Sequence, residues 1–160
     1  MRKLSVFVFL LAALAGVLRA QQPVVPARDV EALFKSPDPK LQANKMVIYS
    51  VYRDLLVANH WELAGKYLTD RYIQHNPNAQ SGRESVVKYF TQVLKVVPKP
   101  IPARLQAPIV AVIAEGDLVT VLSVSERKDS AGNPYTTTWF DTWRIKDGKA
   151  DEHWDCATKD

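Results

Sequence analysis

An α+β domain is what this sequence predicts, with helices first and an antiparallel sheet after them. Three observations carry that reading. Apolar residues recur at helical spacing as far as Leu94, prolines at 98, 100 and 102 stop that period, and β-rich segments joined by short turns follow. A length of 160 residues allows one domain of ordinary size. A chain that is 47% hydrophobic and 24% charged is not a disordered or low-complexity one.

Residues 1–20 read as a signal peptide. Arg2 and Lys3 make a positive start, Leu4 to Leu18 is uncharged and mostly apolar, and Ala20 precedes Gln21-Gln22. The apolar run is shorter than a membrane-spanning helix needs, so no stable span is expected after processing. The expected location is outside the cytoplasm, periplasmic or extracellular. The whole chain carries 21 basic and 17 acidic residues, but Arg2, Lys3 and Arg19 belong to the leader, which leaves 18 against 17. A domain so close to neutral has no electrostatic case for nucleic acid. The one cysteine, Cys156, cannot form an intrachain bridge, and burial is its expected state.

Residues 21–37, with Pro23 and Pro26 and a short turn around Val30–Leu33, read as a linker or arm; the domain proper is placed at 38–157. Asp38 as N-cap and Pro39 at the first helical position start a long helix. Leu41, Ile48, Val51, Tyr52, Leu55 and Leu56 carry it to about Ala58. Trp61, Ala64, Tyr67 and Leu68 suggest a shorter second helix. Ser81-Gly82-Arg83-Glu84 has the form of a capping box, with Val86, Val87, Phe90, Val93 and Leu94 as the stripe behind it. Four strands are expected at 105–114, 118–127, 135–145 and 150–156. Asp147-Gly148 marks the last turn as a two-residue hairpin.

A regular hairpin there would place Phe140, Thr142, Arg144, Asp151, His153 and Asp155 on one face. Trp139, Asp141, Trp143, Ile145, Glu152, Trp154 and Cys156 would share the other. Both faces mix acids with bulky groups, so a carboxylate is expected to enter an apolar space on whichever face is inside. A carboxylate among aromatic rings is desolvated, which suits it to general acid/base work. The alternative is a solvated face on which Arg144 pairs with Asp151 and His153 and Asp155 are wet.

Phe140-Asp141-Thr142-Trp143-Arg144-Ile145, Asp147-Gly148-Lys149 and Glu152-His153-Trp154-Asp155 together resemble the terminal hairpin of the SnoaL-like polyketide cyclase family, within the nuclear transport factor 2-like superfamily. Tyr72-Ile73-Gln74-His75-Asn76-Pro77, followed by Gly82, is similar to the same family's earlier segment. The resemblance implies a cone-shaped α+β barrel, a curved sheet wrapped on a long helix with a pocket at the wide end. It implies cofactor-free acid/base chemistry of the aldol-cyclase, isomerase or hydratase type on a small apolar or carbonyl-containing ligand. It assigns the acid/base role to Asp155, with His153 and His75 in the same pocket and Tyr72, Asn76, Phe140 and Thr142 against the ligand. It favours the His153/Asp155 face as the inner one, which would leave Trp139, Trp143 and Trp154 outside, as the surface of a homodimer or under the N-terminal arm.

Other chemistries find less support. His153-x-Asp155 has no third ligand at a characteristic spacing, so no metal is expected. There is no Gly-x-Ser-x-Gly nucleophile motif. His60, between Asn59 and Trp61, reads as a helix-boundary residue. A non-catalytic ligand-binding or assembly domain on the same fold is the competing function.

Overall fold

A computed structural model describes residues 21–159. The expected leader and its cleavage site lie outside the described residues. Asp29 caps a short α1 (Val30–Leu33) by accepting Ala32 N–H at 3.3 Å. Asp38 caps α2 (Pro39–Ser50) by accepting Leu41 N–H at 2.9 Å, with Pro39 in the first turn as expected. The same rod runs on as wider π-turns over Val51–Val57. A 3₁₀ turn (Trp61–Leu63) and α3 (Ala64–Tyr67) follow, then β1 (Leu68–Gln74), α4 (Arg83–Lys88), a second π segment (Tyr89–Val93), β2 (Ile109–Glu115), β3 (Leu118–Lys128), β4 (Pro134–Lys146) and β5 (Lys149–Asp155).

The five strands form one curved, unclosed sheet in the order β1-β5-β4-β3-β2. The meander β2–β5 is antiparallel, as the turn signals require. Strand β1 adds to the β5 edge in parallel, through Leu68↔Ala150, Ile73↔Glu152 and Gln74↔His153. It is an addition to the four strands expected. Its sequence, Leu-Thr-Asp-Arg-Tyr-Ile-Gln, is half polar, and what makes it a strand is an edge some 80 residues further along the chain. The long helix lies against the inner face, where Tyr52 meets Trp143 edge-on at 5.8 Å. Ile48, Val51, Tyr52 and Leu55 bury there with Val119, Val121, Trp143 and Ile145.

Two local expectations are corrected. Ser81 does not cap α4: its hydroxyl accepts Gln74 N–H at 3.1 Å, and Gly82 takes the cap position at φ +100°, a conformation a side chain would strain. Cys156 is exposed, not buried, because β5 ends at Asp155. The arm is not a free linker. Val24 N–H donates to Thr136 Oγ1, Ala27 N–H to Ile109 O, both at 2.8 Å, and Phe34 is 1% exposed in the core.

The largest correction concerns the last hairpin. Asp147 (φ +51°) and Gly148 (φ +73°) make the expected two-residue turn, with Lys146↔Lys149 and Ile145↔Ala150 in register. The register then shifts by one, giving Arg144↔Glu152, Trp143↔His153, Thr142↔Trp154 and Asp141↔Asp155. Asp151 is the extra residue of a β-bulge. It is buried, and Arg71 and Thr69 of β1 hold it: Thr69 Oγ1 donates at 2.8 Å, Arg71 Nε at 2.8 Å and Arg71 Nη2 more closely still. The bulge puts His153 and Asp155 on the same face as Asp141 and Trp143. Phe140, Thr142, Arg144, Glu152 and Trp154 face outward.

Candidate functional site

The inner face ends in a cavity of about 650 Å³, within the usual range for a small-molecule site. One wall is apolar: Val51, Leu55 and Leu56 from the first π segment, Trp61, Leu68, and Val86, Phe90 and Val93 from α4 and the second π segment. Trp61 and Phe90 stack flat at 3.9 Å. The other wall is polar and comes from the sheet. Tyr72, Gln74 and Asn76 alternate inward along β1 and its extension, and Asp141, Trp143, His153 and Asp155 complete it from β4 and β5.

His153 lies at the centre of the polar wall. Its Nε2 is 3.1 Å from Asp141 Oδ1 and its Nδ1 is 2.8 Å from Gln74 Oε1. Both neighbours as placed are acceptors, which suits a ring with a proton on each nitrogen. Turning the Gln74 amide end for end suits a neutral ring with its proton toward Asp141. Asp141 accepts further bonds from Trp139 Nε1 at 3.1 Å and Tyr52 Oη at 3.2 Å. Asp155 is bound more lightly: Asn76 Nδ2 donates to Oδ2 at 2.7 Å and Ala157 N–H to Oδ1 at 2.9 Å. Each Asp155 oxygen therefore keeps a lone pair for a ligand. Burial, and then the Asp141 charge, raises the pKa of the Tyr52 phenol, so Tyr52 serves as a donor.

One atom each from Asp141, His153 and Asp155 lies within 4.8 Å of the others, close enough for one cation to bridge them. Asp141 and His153 also bond each other directly, which makes a hydrogen-bonded dyad of two of the three.

Of the residues expected at the site, Asp155, His153, Tyr72 and Asn76 meet in the cavity. His75, Phe140 and Thr142 do not line it. His75 follows Gln74 and precedes Asn76, so alternation sends it outward, where it stacks on Trp154 at 4.6 Å and its Nε2 lies 3.1 Å from Glu152 Oε2. The bulge turns Phe140 and Thr142 outward. Phe140 is 46% exposed, and Thr142 Oγ1 lies 3.0 Å from Thr120 Oγ1. Trp143 moves the opposite way, into the core, so the expected outer face of three tryptophans does not exist. Asp141, Gln74 and Trp143 are the site residues that alternation without a bulge misplaced or passed over. The signal for Gln74 was its place midway between Tyr72 and Asn76. The signal for Asp141 was its spacing from Trp143 and Ile145, two large apolar residues that mark an inner face.

The model of the SnoaL-like domain matches residues 50–153. No curated protein matches. Among solved structures the chain is similar to a candidate polyketide cyclase from Acidithiobacillus ferrooxidans, at 14% identity and a TM-score of 0.54 over 76% of this chain and 89% of that one. A candidate SnoaL-like polyketide cyclase from Jannaschia sp. CCS1 gives 16% identity and 0.54 over 76% and 91%. A nuclear transport factor 2-like protein of unknown function from Burkholderia pseudomallei gives 16% and 0.52 over 71% and 88%. At these identities the likeness is one of fold.

Proposed function

The chain belongs to the SnoaL-like domain family, and from that premise we propose that it is a cofactor-free acid/base enzyme acting on a small, largely apolar carbonyl compound. One observation carries the proposal: a carboxylate with open lone pairs, Asp155, beside a His153–Asp141 dyad, all at the polar end of an apolar cavity. In this reading Asp155 takes and returns the proton. His153, fixed between Asp141 and Gln74, holds the local hydrogen-bond geometry and can share the charge. The apolar wall holds the carbon skeleton and excludes water, which strengthens polar contacts at the reacting end. An aldol-type cyclisation, an isomerisation and a hydration share this requirement for one proton moved next to a carbonyl.

A second reading, a ligand-binding domain without turnover, draws support from Asp141 and His153, whose side-chain heteroatoms all have partners within the protein. Mass spectrometry of small molecules retained by the folded protein separates the two. A carbonyl compound that the protein converts supports the enzyme. A compound recovered unchanged after long incubation, whatever its class, supports the binder.

The proposal extends to place and assembly. Export is supported by the Arg2-Lys3 start and the short apolar run after it. No helix among the described residues is long and apolar enough to cross a membrane. A homodimer is supported by apolar side chains on the outer sheet face, now Ile113 and Phe140 in place of Trp143.

A further inference from the structure

We propose that the Tyr72 hydroxyl is the hydrogen-bond donor that receives the substrate's carbonyl oxygen, with the Trp143 indole positioning it. The inference rests on the acid/base reading above and supplies the electrophilic partner which that reading requires.

Tyr72 lines the cavity and is 4% exposed. Its oxygen accepts Trp143 Nε1–H at 3.0 Å. Among the described residues its own O–H has no acceptor, whereas Tyr52 and Trp139 give their single protons to Asp141 and Asn76 gives one N–H to Asp155; the Gln74 amide, the other open donor on this wall, is engaged through its oxygen with the His153 ring. A buried hydroxyl with an unspent proton is costly, and a carbonyl oxygen brought by a ligand removes that cost. Trp61 Nε1 also lacks a partner, but its ring lies flat on Phe90 in the apolar wall.

The surroundings keep Tyr72 a donor. Burial raises the phenol's pKa, and the charges of Asp141 and Asp155 add to the rise, while the Trp143 hydrogen bond opposes it. The Trp143 N–H polarises the Tyr72 O–H, which makes it a stronger donor. The Tyr72 ring lies 6.4 Å from the His153 imidazole and within 13° of parallel to it, so donor and dyad share one end of the cavity. The step balances without a co-reactant. Asp155 takes the proton from the carbon next to the carbonyl, the C–H electron pair becomes the new C=C bond, and the carbonyl π pair moves onto oxygen. Tyr72 keeps its proton and holds that oxygen by a hydrogen bond, a donor in place before the charge develops.

Infrared spectroscopy of bound acetophenone tests the assignment. In wild-type protein the C=O stretch is expected at lower frequency than in an aprotic solvent. Tyr72→Phe should bind the ketone with that shift lost, and Trp143→Phe, which keeps the hydroxyl, should show a reduced shift. Circular dichroism establishes that each variant folds. A full shift retained in Tyr72→Phe overturns the proposal; should that variant not fold, a band unmoved in Trp143→Phe overturns it. A shift absent from wild type with the ketone bound also overturns it while leaving the acid/base reading standing. Failure of wild type to bind any simple aryl ketone removes the carbonyl reading and the proposal with it.

Discussion

Asp151 and Asp155 stand four residues apart on one strand and do opposite things. Asp155 faces the cavity, and in the proposed mechanism it is the group whose loss stops the chemistry. Asp155→Asn should keep the fold, since its amide oxygen can still accept one of the two bonds, from Asn76 or from Ala157 N–H, at a half-buried position, and turnover should fall by about a hundredfold or more, the scale of one general acid/base. Kinetics on the identified substrate beside a melting curve check both halves; unchanged turnover would remove Asp155 from the mechanism. Asp151 is structural. The Arg71 guanidinium, then the Thr69 hydroxyl, outweigh the effect of burial and hold its carboxyl down at about 2. A folded pKa below the unfolded one means that the charged form stabilises the fold above the unfolded value. That contribution fades as pH falls from about 4 toward 2. Its size is at most about 2 kcal/mol, reduced by solvent around the half-exposed Arg71. Asp151→Asn should therefore melt lower than wild type at pH 7, with the gap closing toward pH 2. A constant gap across that range would show that the ion pair is not its source.

At the scale of the element, the bulge decides which side chains of the last hairpin face the cavity. In a regular ladder Trp143 and Ile145 lie on the face opposite His153 and Asp155, and the family pattern, taking the second pair as inner, sent the first outward. One extra residue reconciles them. Nothing local in Ala150-Asp151-Glu152 announces it, because the bulge is held from β1 by Arg71 and Thr69. Strand β1 escaped notice for the same reason, being a strand only by virtue of the edge it joins. The Asp38 cap before Pro39 and the Asp147-Gly148 turn were legible because they are satisfied within a few residues, whereas Ser81 leaves its expected capping box to accept Gln74 N–H from β1. The revised outer face carries Ile113 at 59% exposure and Phe140 at 46%. If that face is the dimer surface, Phe140→Glu should halve the mass measured by light scattering. A wild-type mass equal to one chain at high micromolar concentration would end the dimer proposal.

At the scale of the molecule, the N-terminal arm is part of the domain. Phe34 meets Tyr49 edge-on at 5.3 Å. Arg104 ties the arm down from the proline-rich connector through Glu31 at 2.8 Å and Asp29 at 3.4 Å. Phe34→Ala should cost about 3–5 kcal/mol, the range for a buried aromatic, readable in a urea titration. A loss below about 1 kcal/mol would return residues 21–37 to the status of a linker. The proposed export carries its own test: N-terminal sequencing of the native protein should start close to Gln21, and intact Met1 on cytosolic protein would refute it.

The sequence by itself determined the fold class, the order of helices and meander, and the ends set by Asp38 and Asp147-Gly148, while the family resemblance was what brought Tyr72, Asn76, His153 and Asp155 to one pocket. Those features depend on periodicity, on local hydrogen bonding, or on residue patterns that survive small shifts of register. Only the tertiary structure decided which face Asp141, Trp143, Phe140 and Thr142 occupy, and that His75 lies outside. A side chain's face in a strand has a period of two, so one bulged residue reverses every assignment beyond it. That residue is fixed by partners about 80 positions away.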